Sequence, residues 1–364
     1  MYNTIVIVGV GLIGGSFGLA VRRKYPNTRI IGISSRAAIT SALEMGAITE
    51  GFGYEELDAA VADADLIILC TPIHRIQGLL TVLAGIVREG VLITDVGSTK
   101  KVITDHAAQV LPKNVDFIGG HPMTGSERRG VDAAEPFLFQ NAIYVITPSD
   151  GIQDKTIKEF SNFIGDLGAS VIIMEAGIHD RIAATVSHLP QMLAVALVEM
   201  VGKFDSDKEP FLRLAAGGFR DMTRIASSPF TMWDDICRTN DNDIKQAIDF
   251  FIERLEQLKM RIGTPSLSED FEVANITRAT IPKDTKGFMR PLFEVLVVVE
   301  DRPGVIAEIA SELLKSDINI KDIEVVKVRE GEGGTLRLAF EGETTAQQAI
   351  KHLTGIGFVA RMRK

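Results

Sequence analysis

With 364 residues, 46% of them hydrophobic and 24% charged, the chain is too long for one ordinary core and too apolar to be disordered. A formal net charge of -9 argues against a phosphate-backbone partner, which needs a basic surface for counterion release, so no nucleic acid is expected. Two cysteines, Cys70 and Cys237, stand far apart with no His or Cys at ligand spacing. They read as free, buried thiols in a reducing compartment, with no metal site. The chain begins on an apolar strand pattern without a basic segment or cleavage motif, and no uninterrupted apolar run reaches ~18 residues. The expectation is a cytoplasmic protein with no membrane partner.

In chain order, residues 1–174 alternate short β-branched runs with helix-like stretches, the pattern of a parallel sheet with crossover helices. Strands are predicted at 4–8, 29–33, 66–70, 91–95, 117–118, 142–146 and 170–174. Short continuous runs such as Leu66-Ile67-Ile68-Leu69 suit a sheet covered on both faces. Residues 175–285 then read as helical, with stretches at 180–200 and 241–260 and with Pro190 placed to kink the first. So apolar a helical layer implies a larger partner surface, and a homodimer is expected. A polar stretch at 264–290 reads as a short helix followed by a linker. Residues 291–364 give strand, helix, strand, strand, helix, strand, with residues 331–334 in the hairpin turn, which is the ferredoxin-like βαββαβ order. The expected fold class is α/β throughout, apart from the helical middle.

Gly9-Val10-Gly11-Leu12-Ile13-Gly14 follows an apolar strand and opens a helix. In that context the spacing is a dinucleotide-binding turn: Gly9 makes the bend, Gly11 lets a pyrophosphate approach, and Gly14 lets helix and strand pack. Leu12 and Ile13 carry backbone N–H groups at the helix start, which suit an anion. After the second strand, Ile33 is followed by Ser34-Ser35-Arg36, where an acid would serve the ribose of NAD. Hydroxyls and a guanidinium suit a 2′-phosphate, so NADP is favoured over NAD. Arg36 stacking on adenine, with either cofactor used, is the other reading. Thr71-Pro72 closes another strand at the expected place of a nicotinamide-ribose contact, or simply begins a loop.

Two further segments are unlike ordinary connectors: TDVGSTK at 94–100 and GGHPMTGSE at 119–127. His121, between Gly-Gly and Pro, reads as held on a short exposed loop, and imidazole is matched to proton transfer near neutral pH. Local context leaves a catalytic and a structural role equally open.

These two motifs, with GVGLIGGS at 9–16, SHLP at 187–190 and GGFRDMTRIA at 217–226, closely resemble prephenate dehydrogenases and the related arogenate dehydrogenases. The final unit, with EDRPGV at 300–305, resembles an ACT domain. The resemblance spans essentially the whole chain. It implies a Rossmann domain, a helical substrate and dimerisation domain and a regulatory ACT domain. It also implies that His121 takes the ring-hydroxyl proton while hydride passes to a nicotinamide and carbon dioxide leaves. Ser98 would hydrogen-bond near that His, and Arg224 would hold a substrate carboxylate. Glu127 and Asp221 match positions near the site, while His188, within a helical stretch before Pro190, reads as structural first and as a substrate contact second. The ACT resemblance implies an effector site at Asp301, Arg302 and Gly304, with tyrosine as the expected ligand.

Some prephenate-specific relatives carry a second His directly after SHLP, where this chain has Gln191. Prephenate versus arogenate therefore stays open. Another β-hydroxyacid-type dehydrogenase would place a lysine in the first long helix, and 180–200 contains none. A non-catalytic amino-acid sensor would leave His121, Ser98 and Arg224 without purpose.

Overall fold

The structure, a computed structural model, describes residues 2–125, 128–281, 292–329 and 333–363. Two compact units emerge, Met1–Val273 and Ala274–Lys364. In the larger one, β1 (Thr4–Val8), α1 (Leu12–Lys24), β2 (Arg29–Ile33), α2 (Arg36–Glu44), β3 (Glu50–Phe52), α3 (Leu57–Val61), β4 (Leu66–Leu69), α4 (Ile73–Leu83), β5 (Leu92–Asp95), α5 (Lys101–Val110) and β6 (Asp116–Pro122) alternate along the chain. They are followed by β7 (Ile143–Pro148), α6 (Asp154–Asp166) and β8 (Ser170–Ile173). The sheet order is β3-β2-β1-β4-β5-β6-β7-β8, parallel except for the antiparallel β6–β7 pair. Its first six strands have the order of a Rossmann sheet, which reverses direction between β1 and β4 and opens a crevice at their carboxyl ends.

Continuous apolar strands follow from burial on both faces. Ile5 and Ile7 of β1 and Leu66 and Ile68 of β4 enter one core with Phe17 of α1 and Phe160 of α6. Val6, Val8, Ile67 and Leu69 point the other way, onto Ala60, Ile76, Leu80 and Ile103 of α3, α4 and α5. All eight strand residues are fully buried.

Several expectations are corrected. β3, absent from the sequence reading, pairs with β2 at the sheet edge. The strand expected at 117–118 extends to Pro122, because β7 runs back beside it and pairs Val145 with His121. His121 is thus a half-buried strand residue rather than part of an exposed loop. Cys70 and Cys237 are free thiols but only half-buried.

The second half of this unit is helical: α7 (Ala176–Ala183), α8 (Leu189–Phe204), α9 (Gly217–Thr223), α10 (Phe230–Thr239) and α11 (Asp241–Arg261), while α12 (Leu267–Thr280) begins in it and ends in the smaller unit. α12 is a four-turn helix where a short one was expected. Pro190 does not interrupt the run Ala176–Phe204; a π-turn at Ala184–His188 precedes it, with the Leu189 amide donating to the Ala184 carbonyl. Ala184, Ile236 and Ile244 join the second core of the sheet, so sheet and helices share one interior. By length and composition alone Ala176–Phe204 is apolar enough to cross a membrane. Val198, Met200, Phe250, Leu255 and Met260 are exposed along α8 and α11.

The smaller unit contains β9 (Phe293–Val299), α13 (Val305–Lys315), β10 (Asp322–Arg329), β11 (Gly333–Phe340), α14 (Glu343–Gly355) and β12 (Val359–Met362). The antiparallel sheet, in the order β10-β11-β9-β12, is the expected ferredoxin-like arrangement; residues 330–332 of its hairpin turn lie outside the described residues. Val295, Val297, Leu336 and Leu338 face Ile309, Leu313, Ala349 and Leu353 of the two helices. On the opposite face Arg337 is buried, and its guanidinium donates to Glu324 at 2.7 Å, Glu294 at 2.7 Å and Asp322 at 2.6 Å. Those three acids come from the two strands beside β11, so one cation ties three strands together. Removing it leaves adjacent carboxylates facing one another. Because the acids are partly solvated, Arg337→Ala should cost roughly 2–4 kcal/mol rather than more. Hydrogen exchange of the β9–β11 amides checks this, with faster exchange expected there and none in β1 or β4.

Candidate active site

The Gly-rich turn lies at the β1–β4 crevice. Gly9 has a φ of 96°, which favours glycine, and a Cβ there would come 2.8 Å from the Cys70 backbone. At Gly14 a Cβ would sit 2.3 Å from the Gly9 carbonyl, so helix and strand touch through a missing side chain. A Cβ on Gly11 would meet nothing within 4 Å. Gly11 precedes α1, whose first turn has no capping side chain and no acid. The amides of Leu12 and Ile13 are therefore available to an anion, while Ile13 packs its side chain on the core. Across the crevice Thr71 is buried, and its Oγ1 has no hydrogen-bond partner. Pro72 precedes α4 and is exposed. An open cradle at a helix start with an orphaned hydroxyl beside it fits a dinucleotide.

At the end of β2, Ser34 is half-buried and Ser35 and Arg36 are exposed. Ser35 also caps α2, its Oγ accepting from the Ala38 amide at 3.5 Å. Part of that hydroxyl is thus committed to the helix.

Asp95 organises the neighbouring strand ends. Its carboxylate accepts from the Gly97 amide at 2.7 Å, from the Gly120 amide at 3.1 Å, and from the fully buried Lys100 ammonium. Gly119 and Gly120 have no room for side chains: a Cβ would come 2.3 Å from Thr147 Oγ1 at the first, and 2.5 Å from the Asp95 carbonyl at the second. The Gly-Gly pair before His121 therefore serves sheet packing, not loop freedom.

His121 meets a residue that the sequence reading passed over. Its Nδ1 is 2.8 Å from Nε2 of His179, which is buried in α7. His179 Nδ1 lies 2.7 Å from Asp180 Oδ1. Asp180 also accepts the amides of Lys100 at 2.7 Å and Lys101 at 2.9 Å. Its own carbonyl accepts from Asn240 Nδ2 at 2.8 Å, and that nitrogen is 3.3 Å from His188 Nδ1. Burial, followed by the neighbouring His179, Lys100 and His188, holds the His121 pKa well below the ordinary imidazole value. The signal for this chain was present in the sequence: a His-Asp pair at the start of an apolar helix.

Other predicted residues are less closely gathered. Ser98 is half-buried after β5, and no hydrogen bond joins it to His121, whose Nδ1 is directed to His179 instead. Gln191 and His188 are buried on the first long helical run, His188 edge-on to Trp233 with ring centroids 5.9 Å apart. Asp221 and Arg224 are exposed at the end of α9 and just after it. Glu127 lies outside the described residues. In the smaller unit, Gly304 adopts φ 88° at the start of α13, Asp301 is exposed, and Arg302 pairs with Glu300 and Glu308.

Comparison with known proteins assigns the chain. A prephenate dehydrogenase of Bacillus subtilis (strain 168) is 36% identical over 355 residues, covering 96% of this chain and 95% of that protein. The chain belongs to the prephenate dehydrogenase family. Residues 17–173 match the family's nucleotide-binding domain, 175–273 its dimerization domain and 293–357 an ACT domain. Prephenate dehydrogenase from A. aeolicus, solved with hydroxyphenyl propionate and NAD+, superposes with a TM-score of 0.72 at 30% identity over 77% of this chain and 98% of that one. Synechocystis arogenate dehydrogenase gives 0.69 at 29% identity, over 77% of this chain and all of that one. As a member of the prephenate dehydrogenase family the chain is an oxidoreductase using NAD or NADP. The exposed apolar positions of α8 and α11 lie within the matched dimerization domain, which supports a homodimer.

His188 gives a test of the buried site. Burial is the largest influence lowering its pKa from 6.5 to about 4, the nearby His179 adding to the fall and Asp180 opposing it. The folded imidazole stays neutral while the unfolded one takes a proton near pH 6.5. Between those values the unfolded state binds more protons, so stability falls as pH drops from 6.5 and levels off near 4. The shift corresponds to roughly 3 kcal/mol. Denaturant unfolding at pH 7.5 and pH 5 should show wild-type stability lost more steeply than that of His188→Gln. Equal losses would mean that His188 is not held neutral.

Proposed function

We propose that the chain oxidatively decarboxylates prephenate to 4-hydroxyphenylpyruvate in the cytoplasm, on the route to tyrosine. The observation that carries this reading is the position of His121. A buried-edge imidazole kept uncharged stands on the sheet edge that also bears the Gly-rich turn. The dinucleotide, held by Gly11, the Leu12 and Ile13 amides and Thr71, supplies the hydride acceptor. His121 takes the ring-hydroxyl proton as hydride leaves the same carbon. The ring carboxylate then departs as carbon dioxide, its electron pair entering the ring. The oxygen regains the proton from His121 and becomes a phenol. Ser98 helps to orient the hydroxyl, while Arg224, Asp221, Glu127, His188 and Gln191 form the substrate side, with Arg224 on a carboxylate. The domain division implied by this chemistry is 1–174 for the dinucleotide, 175–285 for substrate and dimer, and 291–364 for regulation. Arogenate is the second reading, left open by Gln191 in place of a second His.

A four-way assay, two substrates against two cofactors, separates these readings through the reduced-nicotinamide absorbance. His121→Asn should lower kcat roughly 10²–10⁴-fold with cofactor affinity nearly unchanged. Arg224→Ala should raise KM more than it lowers kcat, since a carboxylate is charged in ground and transition states alike. A folded His121→Asn enzyme with normal kcat would overturn the assignment. Tyrosine, bound at Asp301, Arg302 and Gly304, should inhibit the full-length enzyme in the same assay.

The cofactor preference proposed is NADP over NAD. Ser34, Arg36 and the remaining capacity of Ser35 offer hydrogen bonds and charge to a 2′-phosphate, and no acid repels it. Ser34→Asp should shift the ratio of kcat/KM values toward NAD. Wild-type efficiency tenfold higher with NAD would refute the preference.

A further inference from the structure

We propose that His179 and Asp180 are positioning residues that lock His121 in the Nδ1–H tautomer, leaving Nε2 bare to receive the substrate proton. This rests on reading His121 as the proton acceptor. Protonation is fixed by geometry at the far end of the chain of contacts. The Lys100 and Lys101 amides can only donate, and both point at the Asp180 carboxylate, at 2.7 and 2.9 Å. Asp180 is therefore an acceptor on both oxygens, and the Asn240 bond to its main-chain carbonyl holds the residue in place. The nitrogen 2.7 Å from Oδ1, His179 Nδ1, must then carry a hydrogen. In the neutral ring that leaves His179 Nε2 with a lone pair. With His179 neutral, the 2.8 Å contact from His121 has one available direction: His121 Nδ1–H donates to His179 Nε2.

The consequence lies on the other side of the ring. His121 Nε2 carries no hydrogen and can only accept, the state a hydroxyl proton requires. When it accepts, the imidazolium keeps its Nδ1–H bond to His179, and the Asp180 carboxylate stands one residue further along as counter-charge. When the phenol forms, the same proton returns, so the tautomer is restored without exchange with solvent. The same device, an acid fixing which imidazole nitrogen is bare, operates in serine proteases, with an extra ring interposed here. Among the described residues, the charged and titratable groups around His121 are His179, Lys100 and His188, with Asp95 and Asp180 behind them. Lys100 is neutralised by Asp95 and so does not compete for the relay.

The deciding measurement needs no substrate. In protein carrying 15N-labelled histidine at pH 7.5, the His121 ring should show a protonated Nδ1 and an unprotonated Nε2. His179→Phe keeps the ring volume and removes the acceptor, and should mix the two tautomers. His179→Gln retains an acceptor oxygen and should preserve the wild-type pattern. In turnover, His179→Phe should lose kcat roughly 10²-fold with KM values for substrate and cofactor within about threefold, and His179→Gln should recover most of it. An Nε2–H tautomer in the wild-type protein overturns the proposal whether or not the variants fold. So does a folded His179→Phe enzyme with normal kcat when His121→Asn has lost its own. If His121→Asn retains activity, the reading of His121 as base fails instead, while the tautomer result stands by itself.

Discussion

The Asp180 carboxylate is the contact on which the site depends. It lies in the first helix after the sheet, yet it closes the start of α5, whose amides come from Lys100 and Lys101. A helix start leaves four amides without intrahelical partners, and a buried one must find acceptors elsewhere. Here the acceptor comes from the helical half of the unit, so satisfying the amides joins the two halves. The same group orients His179, and through it His121. One buried charge thus performs a structural and a chemical task, and neither can be lost without the other. A charge in such a place is tolerable because both oxygens are hydrogen-bonded, Oδ1 to the Lys100 amide and His179 and Oδ2 to the Lys101 amide.

The glycines near the crevice divide by what surrounds them. Gly14, Gly119 and Gly120 are small because other atoms already occupy the space a side chain would take. Gly11 is small although nothing occupies that space. The first kind lets a helix pack on β1 and lets β6 carry His121 past Asp95 without a gap. The second leaves a helix start bare. A sheet built in this way brings the Gly-rich turn and His121 to one side by topology, since the parallel strands β1 and β6 both end there.

Much of this was legible in the chain. Runs such as 66–69 announce a two-sided core, and the motif at 9–14 announces the crevice, because both are local consequences of backbone geometry. The end of β6 was not legible. Gly119-Gly120-His121-Pro122 has almost no strand propensity, and it is extended because β7 pairs with it from 20 or more residues away. β3 escaped for a related reason: three residues with Gly51 at the centre show no alternation and gain their form from β2. His179 escaped because the His-Asp pair at the start of an apolar helix was a signal that something polar meets it, but not of which residue lies across from it. Ser35 was read only for the hydroxyl it offers outward, and the structure uses that hydroxyl to cap α2.

The π-turn at Ala184–His188 has a consequence for how this protein can change. A π-turn holds one more residue than an α-helical turn, so everything beyond it is rotated by about 100° relative to a regular helix. The widened turn also meets the need of Pro190, whose ring would crowd the carbonyl four residues back and whose nitrogen carries no hydrogen. Angular phase along Ala176–Phe204 is therefore set by a single inserted residue. Asp180 and His179 lie on one side of that insertion, and Gln191 and the apolar positions of α8 on the other. Deleting one residue between them would leave a smoother helix with the same composition. It would also turn Gln191 and the exposed apolar stripe together, by a quarter turn or more, relative to His179 and Asp180. The insertion acts as a phase setter, so sequence change in this segment is constrained in length more tightly than in residue type.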